Sequence, residues 1–293
     1  MEQRGRVSDK MKILVTGGAG FVGTNLIKRL LKDGHEVHSL DNYSTGLKSN
    51  EVDGCRYWAG DIQTISTMYN VFRDFNLVFH LAAIARIGPS FEKPNQYIDT
   101  NFNGTYEVVK FCVKNNIPLI YAGSSSKHSG RFKNPYTFSK DLGEDIIKLY
   151  QKHYGLKASI ARFYNVYGPH QLTEGGYTTL IGRWINSWEN REKFVIYGDG
   201  EQRRDFTHVD DIINALILTM YKQAYGYEFE LGRGKNYSVN EVLKMFNQIA
   251  DYLPALPGEA LITLNTDSTA AEVLGWNPSR NLEDYLEKIL NEN

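Results

Sequence analysis

The stretch Thr16-Gly-Gly-Ala-Gly-Phe-Val-Gly23 constrains this chain more than any other. It follows the apolar run Lys12–Thr16, which reads as a buried parallel strand. It opens a segment, Phe21 to Lys32, with Leu26, Ile27 and Leu30 on one side of a helix. Asp33-Gly34 stops that helix, and Glu36–Leu40 reads as a second strand ending at Asp41. Each glycine has a physical task in such a unit. Gly17 permits the tight turn, Gly20 lets backbone amides approach a ligand, and Gly23 lets helix and strand pack closely. With the partial positive charge of the helix N-terminus, the loop, including Phe21 and Val22, suits a pyrophosphate.

The alternation continues with a helix around Ile65–Phe75, a strand at Leu77–Leu81, a helix at Tyr97–Asn115 and a strand at Leu119–Ala122. A helix at Tyr136–His153 and a strand at Lys157–Arg162 follow. This rhythm predicts an α/β fold, a Rossmann-type doubly wound parallel sheet with helices on both faces. After Tyr164 the rhythm breaks at Gly168-Pro169, Gly175-Gly176 and Gly198-Asp-Gly200, before helical patterns return at Asp210–Tyr221 and Val239–Ala250. The expected organisation is a flexible arm at 1–10 and a dinucleotide-binding domain at 11–165, to which 204–231 returns. A smaller substrate-binding lobe is expected from 166–203 and 232–293. Asp41, at the end of the second strand, suits two ribose hydroxyls and repels a 2′-phosphate, so NAD is expected rather than NADP. Asp61, in Gly60-Asp61-Ile62 at the next strand end, reads either as an acceptor from adenine or as a helix N-cap.

Composition narrows the partners. With 33 basic and 34 acidic side chains the net charge is -1, which provides no general field for nucleic acid or anionic lipid. No apolar run reaches the roughly 18 residues of a membrane span, and no secretory leader pattern opens the chain. Cys55 and Cys112 have neither disulfide-framework nor metal-ligand spacing, and the seven histidines do not cluster, so no metal is expected. His35 and His38 read as structural. These features point to a cytoplasmic protein with reduced thiols.

Tyr136-Thr-Phe-Ser-Lys140 places a phenol and an ammonium on one helical face. A tyrosine with a pKa near ~10 is a poor base at neutral pH; a neighbouring Lys and a positive nicotinamide stabilise its phenolate. Ser124-Ser-Ser126 lies at the end of the preceding strand, where a hydroxyl can meet the same substrate oxygen. Ser, Tyr and Lys together make a base for hydride abstraction from an alcohol.

Taken together, these motifs resemble the extended short-chain dehydrogenases, specifically the NAD-dependent epimerase/dehydratase group. The resemblance also rests on His80-Leu-Ala-Ala83, Asn101-Phe-Asn-Gly-Thr105, Arg162-Phe-Tyr-Asn-Val-Tyr-Gly-Pro169, Tyr197-Gly-Asp-Gly-Glu201, Arg204-Asp-Phe-Thr-His-Val-Asp210 and Leu274-Gly-Trp-Asn-Pro278. It implies Ser125 as the catalytic hydroxyl beside Tyr136 and Lys140. It implies a cofactor lined by Asn42, Ile62, Leu81, Ala82, Ala83, Asn101 and Tyr164 besides the loop and the two acids. On the substrate side it implies Ser126, with Asn165 and Arg204 on a nucleotide diphosphate and Leu180 and Tyr197 near the base. The residues alone leave room for Arg204 pairing with Asp205 or Asp210, and for Asn165 capping a turn. The family's helices at Tyr97–Asn115 and Tyr136–His153 imply a homodimer.

The resemblance further implies oxidation of a sugar C4 hydroxyl by NAD. Family 4,6-dehydratases carry Thr-Asp-Glu where this chain has Ser125-Ser126-Lys127. Without that carboxylate, the expected outcome is re-reduction from the other face, which is 4-epimerisation. Gly175–Ile181 resembles the UDP-sugar 4-epimerases, so a UDP-hexose is the expected partner. Alternatives are an inverting 4,6-dehydratase using Lys127, a C2 or C5 epimerase, a dehydrogenase, and a non-catalytic NAD-binding sensor. Lys127 equally reads as a solvated loop charge. Two departures stand out: only eleven positions separate Ser125 from Tyr136, and Leu256 stands where the family usually has an Arg on the diphosphate. Arg183 and Lys235 are the replacements considered.

Overall fold

The computed structural model describes residues 10–72 and 74–292. Residues 1–9 of the expected arm lie outside the described residues. Seven parallel strands form the central sheet: β1 (Lys12–Thr16), β2 (Glu36–Asp41), β3 (Arg56–Ala59), β4 (Leu77–His80), β5 (Leu119–Ser124), β6 (Ala158–Phe163) and β7 (Glu228–Leu231). Their spatial order is β7-β6-β5-β4-β1-β2-β3. The order reverses direction between β1 and β4, so a crevice opens above their carboxyl ends.

Two apolar layers cover the sheet. One joins Ile13, Val15, Leu26, Ile27 and Phe79 to the helix Val209–Tyr221 through Ile212, Leu216 and Ile217. The other joins Leu14, Val78, Leu119 and Tyr121 to Val108, Val109 and Ile147 on the helices Thr105–Asn115 and Pro135–Tyr154. A third cluster lies apart, with Trp184, Phe194, Ile196, Val242, Phe246 and Leu286 at its centre.

Several sequence expectations shift. The helix expected at Ile65–Phe75 is a 3₁₀ turn over Ile62–Met68 followed by the short helix Tyr69–Phe72. Thr64 and Thr67 hydroxyls bond back to the carbonyls of Asp61 and Thr64 at 2.8 and 2.7 Å, competing with regular helix. The helix expected at Tyr97–Asn115 starts at Pro94 and contains a π-helical segment, Ile98–Gly104. The one expected at Val239–Ala250 ends at Met245, since Asn247 turns left-handed (φ 51) and Ala250–Leu253 pairs with Phe194–Tyr197. The span 232–293 does not all join the smaller lobe. Ala270, Leu274 and Trp276 pack into the first layer, and the Trp276 indole donates to the Asp211 carbonyl at 2.8 Å. The Asp211 carboxylate accepts the backbone amides of Ser279 and Arg280 at 3.1 and 3.0 Å, so it anchors the returning chain.

One buried ionic cluster ties the helix Pro135–Tyr154 to the sheet. The Arg162 guanidinium donates to both Glu144 oxygens, at 2.9 and 2.7 Å, to Glu230 at 2.6 Å, and to Glu228. Burial pushes the Glu230 carboxyl up, but bonds from His128 and Arg162 hold it below its ordinary range. Stability from such a depressed carboxyl is present above the ordinary carboxylate pKa and lost as pH falls through the folded one. Arg162→Met leaves Glu144 with Lys127 and Glu230 with His128 and Tyr164. The expected cost is about 3–5 kcal/mol, read as a lower urea midpoint at neutral pH, with a shallower loss of stability on acidification than the parent shows.

Candidate active site

The catalytic helix begins where Asn-Pro dictates. The Asn134 side chain accepts from the Thr137 amide at 2.8 Å, and Pro135 occupies the first turn, where its missing N–H costs nothing. One turn then separates Tyr136 from Lys140, and both line a single cleft of about 560 Å³ above the sheet.

The Tyr136 hydroxyl donates to Ser124 Oγ at 3.2 Å. This partner is not Ser125, the hydroxyl singled out from the sequence. Ser124 ends β5 and caps the 3₁₀ turn Ser125–Ser129, accepting from the Ser126 amide at 3.2 Å and donating to Ser126 Oγ at 2.9 Å. Ser125 and Ser126 also line the cleft. Burial raises the Tyr136 pKa, opposed by the Ser124 bond and the Arg86 charge. Burial pulls the Lys140 ammonium down to about 7, opposed by Glu144. Lys140 Nζ sits 4.2 Å from the Tyr121 ring centroid, a cation–π contact. His80, between the Thr16 and Thr105 hydroxyls at 2.7 and 3.0 Å, is pushed to about 3 by burial and by Lys140, so it stays neutral. Burial therefore favours the protonated phenol.

The residues fit NAD. A Cβ at Gly17 would stand 2.7 Å from the Ala82 amide nitrogen, and Gly17 has φ +74; a Cβ at Gly23 would stand 2.2 Å from the Gly17 carbonyl. The first-turn amides of the helix Phe21–Lys32 have no side-chain cap, leaving them for a pyrophosphate. Asp41 is nearly buried, accepts from the Ala19 and Tyr43 amides at 2.9 and 2.8 Å, and lines the cleft with Phe21, Val22, Asn42, Ile62, Leu81, Ala82 and Ala83. Burial raises its pKa, opposed by those two amide bonds.

Three expected cofactor residues do not line the cleft. Asp61 accepts from the Gln63 amide at 2.9 Å and from Asn42 Nδ2 at 2.8 Å, which is the capping alternative. The Tyr164 hydroxyl is turned onto Glu230 at 2.9 Å. Asn101 is wholly buried: its side chain accepts from the Ile84 amide at 2.8 Å and donates to the Ile84 carbonyl at 2.9 Å and to Ser139. It works one layer below the cleft, pinning the segment after β4.

On the substrate side, Asn165, Leu180, Tyr197 and Arg204 all line the cleft. Asn165 has φ 27 and donates to the Asp205 carbonyl and Thr263 Oγ1 at 2.9 and 3.0 Å. Arg204 pairs with neither Asp205 nor Asp210 but with Glu259 at 2.9 Å. Lys127 is neither a solvated charge nor a cleft base, since it pairs with Asp141 and Glu144 at 3.0 and 2.7 Å. Lys235 pairs with Glu283 at 3.0 Å and stands outside the cleft lining, whereas Arg183 lies within it. The short Ser125–Tyr136 connection is tied to the turn Leu256–Glu259: Asn134 Nδ2 donates to the Gly258 carbonyl at 3.0 Å. Within the Ser124–Ser126 run sequence reasoning singled out Ser125 rather than Ser124, and it missed Arg86, which had a visible signal as a lone cation just past the Ala82–Ala83 segment.

Among the described residues, no cluster of His, Cys, Asp or Glu could hold a metal ion, and no helix is long and apolar enough to cross a membrane.

Comparison with known proteins agrees with this geometry. The chain is 32% identical to a putative UDP-glucose 4-epimerase of Methanocaldococcus jannaschii, covering 95% of this chain and 97% of the relative. It is also 32% identical to the UDP-glucuronate 4-epimerase of Thermodesulfobacterium geofontis, covering 95% and 94%. Its fold matches the crystal structure of UDP-glucose 4-epimerase from Thermotoga maritima with UDP-glucose, at a TM-score of 0.90, 28% identity and 96% and 98% coverage. The NAD dependent epimerase/dehydratase family model matches residues 13–232, most of the chain, and the protein belongs to that family.

Proposed function

We propose that this enzyme is a 4-epimerase of a nucleotide sugar, most simply a UDP-hexose. One observation carries the choice of reaction: the only carboxylates among the cleft-lining residues are Asp41, at the ribose end, and Glu259, paired with Arg204. Elimination of water needs an acid and a base beside the sugar, and Lys127 is turned away onto Asp141 and Glu144. Inversion needs one base and room for the keto sugar to turn.

When bound, NAD supplies the hydride acceptor and gives the same hydride back. Tyr136 takes the C4 hydroxyl proton and later returns it; Lys140 holds positive charge beside the phenolate; Ser125, on the turn that Ser124 caps, meets the reacting oxygen once the sugar displaces the Tyr136–Ser124 bond. The glycine loop and Asp41 hold the cofactor, with Tyr197 and Leu180 against the base and Arg204 and Asn165 toward the diphosphate. Smaller support bears on assembly and location. The helices Thr105–Asn115 and Pro135–Tyr154 pack Tyr106 against Tyr150 and leave Leu149 and Tyr154 exposed, a face suited to a second copy of the chain. The unpaired cysteines suit the reducing cytoplasm.

Proton NMR of the enzyme with UDP-glucose, UDP-N-acetylglucosamine and their 4-epimers tests the reading. New anomeric signals joining a 4-epimer pair are expected, with turnover reduced roughly 10²–10⁴-fold in Tyr136→Phe; a 6-deoxy methyl signal would overturn the epimerase assignment. The pH profile supplies a second test. Lys140→Met removes the charge that favours the phenolate, so the acidic limb of kcat is expected to move to higher pH; an unmoved limb would free Lys140 of that role.

A further inference from the structure

We propose that Arg86 grips the diphosphate of the bound nucleotide sugar, supplying from the β4 side the charge that Leu256 does not supply from the C-terminal turn. The inference rests on the nucleotide-sugar reading and assigns that site its missing cation.

Four cationic residues line the cleft: Arg86, Lys140, Arg183 and Arg204. Lys140 is held over the Tyr121 ring at 4.2 Å, one turn from Tyr136, and serves the proposed base. Arg204 is already matched by Glu259 at 2.9 Å. That leaves Arg86 and Arg183 against the charges of a diphosphate. Arg183 makes only long contacts with Thr178 Oγ1, at 3.4 and 3.5 Å. Arg86 is more deliberately placed. Its Nε donates to the Tyr177 carbonyl at 3.0 Å, which leaves the two terminal nitrogens as a fork for an oxyanion.

Placement along the ligand follows from its chain of parts. A sugar whose C4 oxygen reaches Tyr136, with a base near Tyr197, must pass its diphosphate between them. Arg86 lines the same cleft as Tyr136, Tyr197, Leu256 and Glu259, and its bond to the Tyr177 carbonyl holds it against the Gly176–Ile181 stretch of that lining.

The backbone supports the same reading. Arg86 has φ 92, a region where a side chain is strained and glycine is at ease. The strained position is braced on its N-terminal side: the Tyr97 hydroxyl donates to the Ala85 carbonyl at 3.0 Å, and Asn101 holds Ile84 through two bonds. Such bracing around a non-glycine residue is expected where the side chain itself has a task.

The test is calorimetric titration of NAD-loaded enzyme with UDP and with uridine, comparing the parent, Arg86→Gln, and Arg86→Gln combined with Leu256→Arg. Arg86→Gln is expected to weaken UDP about 10- to 100-fold, the loss of one charge-assisted bond, and to leave uridine within about 2-fold. Leu256→Arg is expected to recover most of the loss, which it would not do for a fold defect. Parent-like UDP affinity in Arg86→Gln, an equal loss for uridine, or no rescue would overturn the inference. Should Arg86→Gln fail to fold or to hold NAD, Arg86→Lys serves: it keeps the charge without the Tyr177 bond and must retain tighter binding of UDP than of uridine, and loss of that preference overturns the proposal. A parent enzyme that binds none of UDP, dTDP, GDP or CDP would overturn the nucleotide-sugar reading and this inference together, a result distinct from failure of the Arg86 contrast alone.

Discussion

The Arg162 guanidinium, caught between Glu144 and Glu230, is the contact on which the site's geometry depends. It joins two successive elements to a distant one: the helix Pro135–Tyr154 carries Glu144, β6 carries Arg162, and β7 carries Glu228 and Glu230, 66 and 68 residues beyond Arg162. Glu144 lies one turn beyond Lys140, so the pairing sets the rotation of the face that bears Tyr136 and Lys140. It also sits beneath the end of β5, where a Cβ on Gly123 would stand 2.9 Å from both Arg162 Cγ and Glu144 Oε1. Lys127 extends the cluster into the serine turn. Removing one member of such a buried set exposes the others to an uncompensated low dielectric, which is why these charges must persist together.

The face that this arrangement orients carries two ionisable groups set by burial. Burial alone favours a protonated Tyr136 and weakens the Lys140 cation. The Tyr121 ring face and, further off, Glu144 keep the ammonium from being stranded. A charge placed beside these enclosed groups is screened less than it would be in bulk water.

Much of this was legible in the sequence where the signal is local. The glycine loop, Asp41, the Tyr136–Lys140 spacing, and β1, β2, β4, β5 and β6 all follow from short-range pattern. What escaped depends on partners far along the chain. Lys127 looked like a loop charge because Asp141 and Glu144 are brought under it only by folding. Asn101 looked like a cofactor residue because its role is to hold Ile84 across a turn, and the π-helical stretch around it has no simple periodic signature. The hydroxyl nearest Tyr136 proved to be Ser124, since where β5 ends depends on its register against β6 (Ser124 opposite Phe163). Trp276 returned to the main core because Asp211 draws the chain back, a pairing 65 residues apart.

Asn134 carries a consequence for which changes this protein can tolerate. Its Oδ1 receives the Thr137 amide while its Nδ2 reaches the Gly258 carbonyl. Aspartate and serine are good helix caps, yet ionised aspartate has no hydrogen to give, and serine has a single short hydroxyl for both directions. In this chain one amide both starts the helix Pro135–Tyr154 and ties it to the turn at Gly258, so a change at Asn134 is felt at both.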